Sequence, residues 1–342
     1  MAVKVGKQTW IPSRKPVLIQ TGVVAGPLEG QGPLKNWFDH VYTDPMAGER
    51  SFEGAEREMM LNACYTALRK ADRTPESVDV FLAGDLLNQI ITSSGSALQL
   101  QIPFLGIYGA CSSSAESLII ATALIDAGFA QTVLCAVSSH NSTSERQYRY
   151  PTEYSVFRKP TAQWTVTGAG AALLAAEGRG PSITSLTVGV VKDYGIKDAL
   201  NMGAAMAPAA AATLAQHFAD TGRAPDYYDL IVTGDLGRFG QRLAIEQAAK
   251  NGGVDLTSNY KDCGVLIYDC EKQDVHSGGS GCACSAVVTY GYLYHRMLAG
   301  EIKRLLFCAT GALHSPTSVM QGGNIPVIAH AVSLEMLSGA LP

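Results

Sequence analysis

The phrase DVFLAGDLL at residues 79–87 returns as DLIVTGDLG at residues 229–237. Asp79, Gly84, Asp85 and Leu86 match Asp229, Gly234, Asp235 and Leu236, with four strand-compatible residues between the first aspartate and the glycine. Both copies read as a buried strand closed by a Gly-Asp turn. A second pair follows in the same order. GACSSSAESLIIATALIDAG (109–128) leads to TVLCAV, and GSGCACSAVVTYGYLYHRMLAG (279–300) leads to LLFCAT. In each, a turn of Gly, Ser and Cys opens a helix of small residues and a strand comes next. Two matched pairs in one order point to a duplicated α/β unit. The expected halves are residues 1–178, which carry Cys111, and residues 179–342.

Periodicity places first-half strands at 16–26, 80–83, 102–108, 132–137 and 170–175, with helices over 51–70, near 88–100 and after Cys111. Ser51 is the expected N-cap of the first helix, whose apolar stripe includes Phe52, Ala55, Met59, Met60, Ala63, Ala67 and Leu68. Ser113 and Glu116 are spaced as a capping box. The helix they open is apolar nearly all round, so it is expected to be buried on every side. The second half starts with strand-like 182–191, an Ala-rich helix over 204–220 and a strand at 229–233. Strands alternating with helices predict mostly parallel sheets covered by helices.

The chain has 342 residues, 47% of them hydrophobic, enough for a large core. A net charge of −4, with no run of four Lys or Arg, argues against nucleic-acid binding. The first twenty residues lack the apolar stretch of a signal peptide, and no uninterrupted apolar run has the length of a membrane span. A soluble chain is therefore expected. Its eight cysteines read as reduced thiols. Cys263, Cys270, Cys282 and Cys284, with His276 among them, have no common zinc-site spacing, so no metal is expected there.

Cys111 lies between a strand-like and a helix-like run. Backbone N–H groups at the first turn of a helix point outward unpaired, and the dipole there favours negative charge. The same turn can therefore activate a thiolate nucleophile or cradle an anion on the N–H groups of Cys111, Ser112 and Ser113.

A buried helix opened by cysteine in a duplicated α/β chain resembles the thiolase fold, which includes the ketoacyl-ACP synthases. GACSSSAESL is similar to their nucleophile turn, and TVTGAGAALLAAE (165–177) resembles the phrase that ends their first half. The resemblance implies a five-layer αβαβα architecture of two α/β halves. GKQTW, LAGDLLNQ, IPFLGIYGACS, SSHNSTSERQYRYPTEY, MGAAMAPAAA, GGSGCACSAVVTY and ATGALHSP resemble, more narrowly, the stage V sporulation AD family of thiolase-like proteins. That resemblance implies binding of dipicolinic acid (pyridine-2,6-dicarboxylate) during its uptake into the developing spore. It also implies a homodimer on the spore inner membrane, with membrane proteins of the same stage V channel system as partners and no nucleic acid. No cofactor is implied beyond Ca²⁺ carried with the ligand.

Condensing enzymes of this fold pair the cysteine with a histidine and an asparagine. The duplication puts Gly234 at the histidine's place and Ser280 at the asparagine's. Without a proton acceptor and an oxyanion site, acyl transfer loses its machinery. The preferred expectation is a non-condensing binding protein. The alternative is an acyltransferase or 3-ketoacyl-ACP synthase-like enzyme with Cys111 as nucleophile and another histidine, His140, His314 or His330, as base. The expected ligand-binding residues are Cys111, Ser112, Ser113, Asp85, Asn88, His140, Lys159, Ser280 and Gly281. Arg158, Arg146 and Arg149 compete with Lys159 for the second carboxylate. Each also has a structural reading: Asp85 as a shared turn, His140 as an interior histidine, Lys159 as a solvated loop charge, and Ser280 with Gly281 as turn formers. Tyr148, Tyr150 and Tyr154 read as packing or dimer interface.

Overall fold

A computed structural model describes residues 1–148 and 158–337. Strand β1 (Val17–Ala25) leads through a long loop to helix α1 (Phe52–Lys70). Then come β2 (Val80–Gly84), α2 (Ile91–Leu100), β3 (Phe104–Gly106), α3 (Ser113–Ala127), β4 (Thr132–Ser139), α4 (Asn141–Tyr148) and β5 (Gly168–Ala175). Next follow β6 (Ser182–Thr187), α5 (Met202–Thr221), β7 (Leu230–Thr233), α6 (Gly237–Gly252) and β8 (Tyr260–Asp262). Helix α7 starts at Cys282–Ala286 and runs on through a π-helical stretch, Val287–Leu293, to Leu298. Strands β9 (Arg304–Ala312) and β10 (Val327–Glu335) complete the set.

The strands run in the order β3-β2-β4-β5-β1, then β6-β10-β9-β7-β8. The two blocks meet through a single register pair, Ser182 with Val17. Within each block the pairing pattern is the same. β5 is antiparallel to β1 and β4, while β4, β2 and β3 are parallel. β10 is antiparallel to β6 and β9, while β9, β7 and β8 are parallel. Each sheet thus has one strand reversed against the rest, which makes it mostly parallel. Helices α3 and α7 lie between the sheets, α1 covers the outer face of the first and α5 that of the second. This is the five-layer αβαβα arrangement of the thiolase-like fold.

The pleat explains the layering. On β4, Val133, Cys135 and Val137 enter the central core, while Leu134 and Ala136 pack under α1. On β9, Leu305, Phe307 and Ala309 face the centre, and Leu306 and Cys308 face α5. Alternate residues of one strand therefore serve two cores. Ser51 caps α1 by accepting from the Gly54 N–H, as expected. The capping box at α3 is absent: the Ser113 hydroxyl donates back to the Ala110 carbonyl, and Glu116 Oε2 has no partner among the described residues. The window Ala110–Ala127 is the one candidate among the described residues apolar and long enough to cross a membrane. It is the helix sandwiched at the centre of the fold, with Leu118 and Ile125 fully buried, and it packs as a core helix.

Candidate functional site

Cys111 is partly buried and lines a narrow chamber. Ala110 before it holds a left-handed φ of 50°. Gly311 on β9 lets that strand pass over the turn, since a Cβ there would lie 2.2 Å from the Gly109 carbonyl oxygen. From the second half, a short parallel pairing of Gly279–Ser280 with Trp164–Thr165 brings Ser280 and Thr165 to the wall. Gln163 locks this seam, donating to the Asp235 and Gly279 carbonyls at 2.7 Å each.

The group next to Cys111 is Asp235. Its carboxylate accepts from Thr310 Oγ1 at 2.7 Å, the Gly281 N–H at 3.0 Å and the Ser280 hydroxyl at 3.2 Å, and it acts electrostatically on the Cys111 thiol. Burial first, and the Asp235 charge second, push the thiol well above the ordinary cysteine value. Burial also raises Asp235 itself. Desolvation and a facing carboxylate thus oppose the helix dipole at this thiol.

The expected anion cradle is also occupied. The Ser112 N–H donates to the Gly109 carbonyl and the Ser113 N–H to the Ala110 carbonyl, and the Ser112 and Ser113 hydroxyls bond the same two carbonyls. Both serines are fully buried in the turn. Gly234 is closely packed: a Cβ would sit 3.2 Å from Ala309 Cα and Thr310 N and 3.3 Å from Ser285 Cβ, so a side chain there would require its neighbours to give by a few tenths of an ångström. Gly281, at φ 99°, aims its N–H at Asp235.

Other expected residues lie elsewhere. Asp85 accepts from the Leu87 N–H, the Ser93 N–H and the Ser93 hydroxyl, so it closes its own turn. Burial raises its carboxyl, as it does that of nearby Glu56, which in addition feels the Asp85 charge. His140 is an interior histidine. Its Nδ1 accepts from the Ser142 N–H, its Nε2 donates to the Pro45 carbonyl, and burial holds it neutral. Lys159 pairs with Asp198 at 2.7 Å, half exposed, and Arg158 pairs with Asp274 at 2.6 Å over the Trp164 ring. Arg146 pairs with Glu53. None of the three lines the chamber. Arg149, Tyr150 and Tyr154 lie outside the described residues. Asn88 accepts from the Gln147 side chain at 2.9 Å and borders two outer cavities rather than the chamber.

Five polar chamber residues had no place among the expected ligand-binding residues: Tyr108, Ser144, Tyr148, Thr165 and His314. Ser144 and Tyr148 sit one turn apart on α4, so both reach the same wall. The Ser144 hydroxyl is buried and has no partner among the described residues. The Tyr148 ring lies 5.3 Å from that of His314. The i, i+4 spacing of Ser144 and Tyr148 in a polar segment was the available signal.

Comparison with known proteins agrees with this geometry. The family model for Stage V sporulation protein AD (SpoVAD) matches residues 6–335. The Stage V sporulation protein AD of Bacillus subtilis (strain 168) is 48% identical over 335 residues, covering 98% of each chain. Among solved structures, human mitochondrial 3-ketoacyl-CoA thiolase in complex with CoA superimposes with a TM-score of 0.59 at 14% identity, over 96% of this chain and 99% of that one. The 3-oxoacyl-[acyl-carrier-protein] synthase III of Aquifex aeolicus VF5 gives 0.56 at 16% identity, over 94% and 99%. At such identities these two speak for the fold alone. Sequence, fold and the altered cysteine site converge, and the chain belongs to the stage V sporulation protein AD family.

Proposed function

We propose that this protein binds dipicolinate, free or as its calcium chelate, in the Cys111 chamber, and delivers it to membrane proteins of the stage V sporulation channel system at the forespore inner membrane. One observation carries the reading: the chamber keeps a cavity at the helix end, while closely packed Gly234 stands at the histidine's place and burial raises the Cys111 thiol. A site that encloses space and lacks an activated nucleophile is suited to binding rather than turnover. The Ser144 hydroxyl, which has no partner among the described residues, supports a polar ligand, because a buried hydroxyl without a partner costs about 1–3 kcal/mol that a carboxylate oxygen would recover. Among the described chamber-lining residues the donors for the ligand's carboxylates are neutral ones such as Ser144, Thr165 and the tyrosines.

A homodimer fits the same reading. Strand β3 is the outer edge of its sheet, Leu105 on it is 49% exposed, and Ile91 and Leu98 of neighbouring α2 are 57% and 72% exposed.

Calorimetric titration with dipicolinate, with and without Ca²⁺, tests the binding, with the 3,5-dicarboxylate isomer as control. Saturable, isomer-selective heat that falls in Ser144→Ala is expected. Silence in the wild type, together with a labelled acyl-enzyme at Cys111 from an acyl-CoA, would replace this reading with the acyltransferase one.

A further inference from the structure

The Cys111 chamber is not the only space at this end of the sheets. Two outer cavities share lining residues with it. Tyr108 and Tyr148 line all three, so the two rings stand as the partition between the inner chamber and the outer cleft. Their hydroxyls meet at 2.9 Å, and the Tyr148 hydroxyl also bonds the Leu86 carbonyl. The two side chains come from separate segments, Tyr108 from the loop after edge strand β3 and Tyr148 from α4. Leu86 belongs to the turn after β2 and itself lines the chamber.

From this geometry we infer that Tyr108 and Tyr148 form a hydroxyl latch that controls access to the chamber, and that a planar carboxylate reaches Cys111 only when the latch parts. The inference deepens the binding reading above and rests on it for the identity of the ligand. Both hydroxyls are neutral at every physiological pH, since burial raises each above the ordinary tyrosine value. The latch is therefore opened by displacement of hydrogen bonds. An incoming carboxylate oxygen, a stronger acceptor than a phenol or a peptide carbonyl, can take over the Tyr108 and Tyr148 donors as it passes. Ser144, one turn deeper on α4, is the next hydroxyl on that wall.

The test needs no dipicolinate, so its failure is distinct from failure of the binding proposal. The full chain is alkylated with iodoacetamide at pH 8, and the rate at Cys111 is read by peptide mass mapping. Partly exposed Cys270, which does not line the chamber, serves as internal reference. Tyr148→Phe removes both of its hydroxyl bonds while keeping the ring. Losing two hydrogen bonds worth about 1 kcal/mol each corresponds to labelling of Cys111 roughly thirty-fold faster, with Cys270 unchanged. Tyr108→Phe should act in the same direction, and Tyr148→Ala, which removes the partition, should act most strongly. A Tyr148→Ala chain with a native circular dichroism spectrum and wild-type labelling at Cys111 would overturn the latch.

Discussion

The repeated strand phrase contains two aspartates, and the two have fared differently. Asp79 and Asp229 act alike. Each accepts from two consecutive N–H groups at the start of the neighbouring strand, Gln131 and Thr132 in one case and Lys303 and Arg304 in the other. Asp85 and Asp235 have parted. Asp85 ties its own turn to α2. In the second half Asp262, from β8, accepts from the Leu236 and Gly237 N–H groups instead, and Asp235 turns inward to the Cys111 thiol. Sequence identity at a position is thus compatible with opposite roles when a third carboxylate takes over the local one.

The largest expected effect tests that divergence. Asp235→Ala strands the Gly281 N–H and the Thr310 and Ser280 hydroxyls in a dry interior and should cost about 3 kcal/mol or more in urea unfolding. The milder Asp235→Asn removes the charge facing the thiol, so Cys111 alkylation at pH 8 should accelerate, whereas Asp85→Asn should leave it unchanged. Equal acceleration in the two variants would erase the distinction.

Acid stability sharpens the contrast from the second half. His217, bonded to Thr187 and Tyr228, is pushed down to about 3, and His330, which accepts from the Gly189 N–H, to about 4, in both cases chiefly by burial. Both are neutral in the folded protein at pH 6.5, and so their contribution is complete above that value. As pH falls below 6.5 the unfolded chain takes up protons that the native state refuses, and stability drops by about 1.4 kcal/mol per pH unit per histidine. In His330→Gln, the urea midpoint should fall less steeply than in wild type between pH 6.5 and about 4. Parallel curves would refute a neutral buried His330.

The two central turns differ again in their left-handed residues. Gly281→Ala should cost about 1–3 kcal/mol in thermal or urea unfolding, because φ is 99° and the new Cβ would lie 2.7 Å from Ser139 Oγ. Ala110→Gly, at φ 50°, should shift stability by less than about 1 kcal/mol. The smallest effect belongs to Lys159→Ala. It removes a half-exposed pair with Asp198 and should change stability by about 0.5 kcal/mol or less, with dipicolinate titration unaltered.

The fold was legible because its signals are local. Strand alternation in TVLCAV, the stripe of α1 and the all-round apolar α3 each follow from their own residues. At the site, Cys111, Ser280 and Gly281 could be found because the duplication marks both central turns. Asp235 was assigned to a turn, since nothing in DLIVTGDLG tells that Asp262 satisfies that turn from 27 residues away. Tyr148 read as packing because its partners, Leu86, Tyr108 and His314, come from three separate segments. Lys159 and His140 were plausible by charge type alone, and charge type does not say that Asp198 or the Pro45 carbonyl already engages them.

Ser114 on α3 and Ser285 on α7 touch hydroxyl to hydroxyl at 2.7 Å, each three residues after a cysteine of its own turn. Two like helix ends meeting through the same residue is how an isologous dimer is held, yet here both belong to one chain. The covalent link makes that contact unimolecular, so its effective concentration is fixed by the tether and dilution does not weaken it. Ser280 and Cys111 face one cavity from opposite sides of this seam. Cutting the chain near residue 180 would turn the cavity into a concentration-dependent assembly, and a ligand spanning the seam would then act as the glue between two fragments.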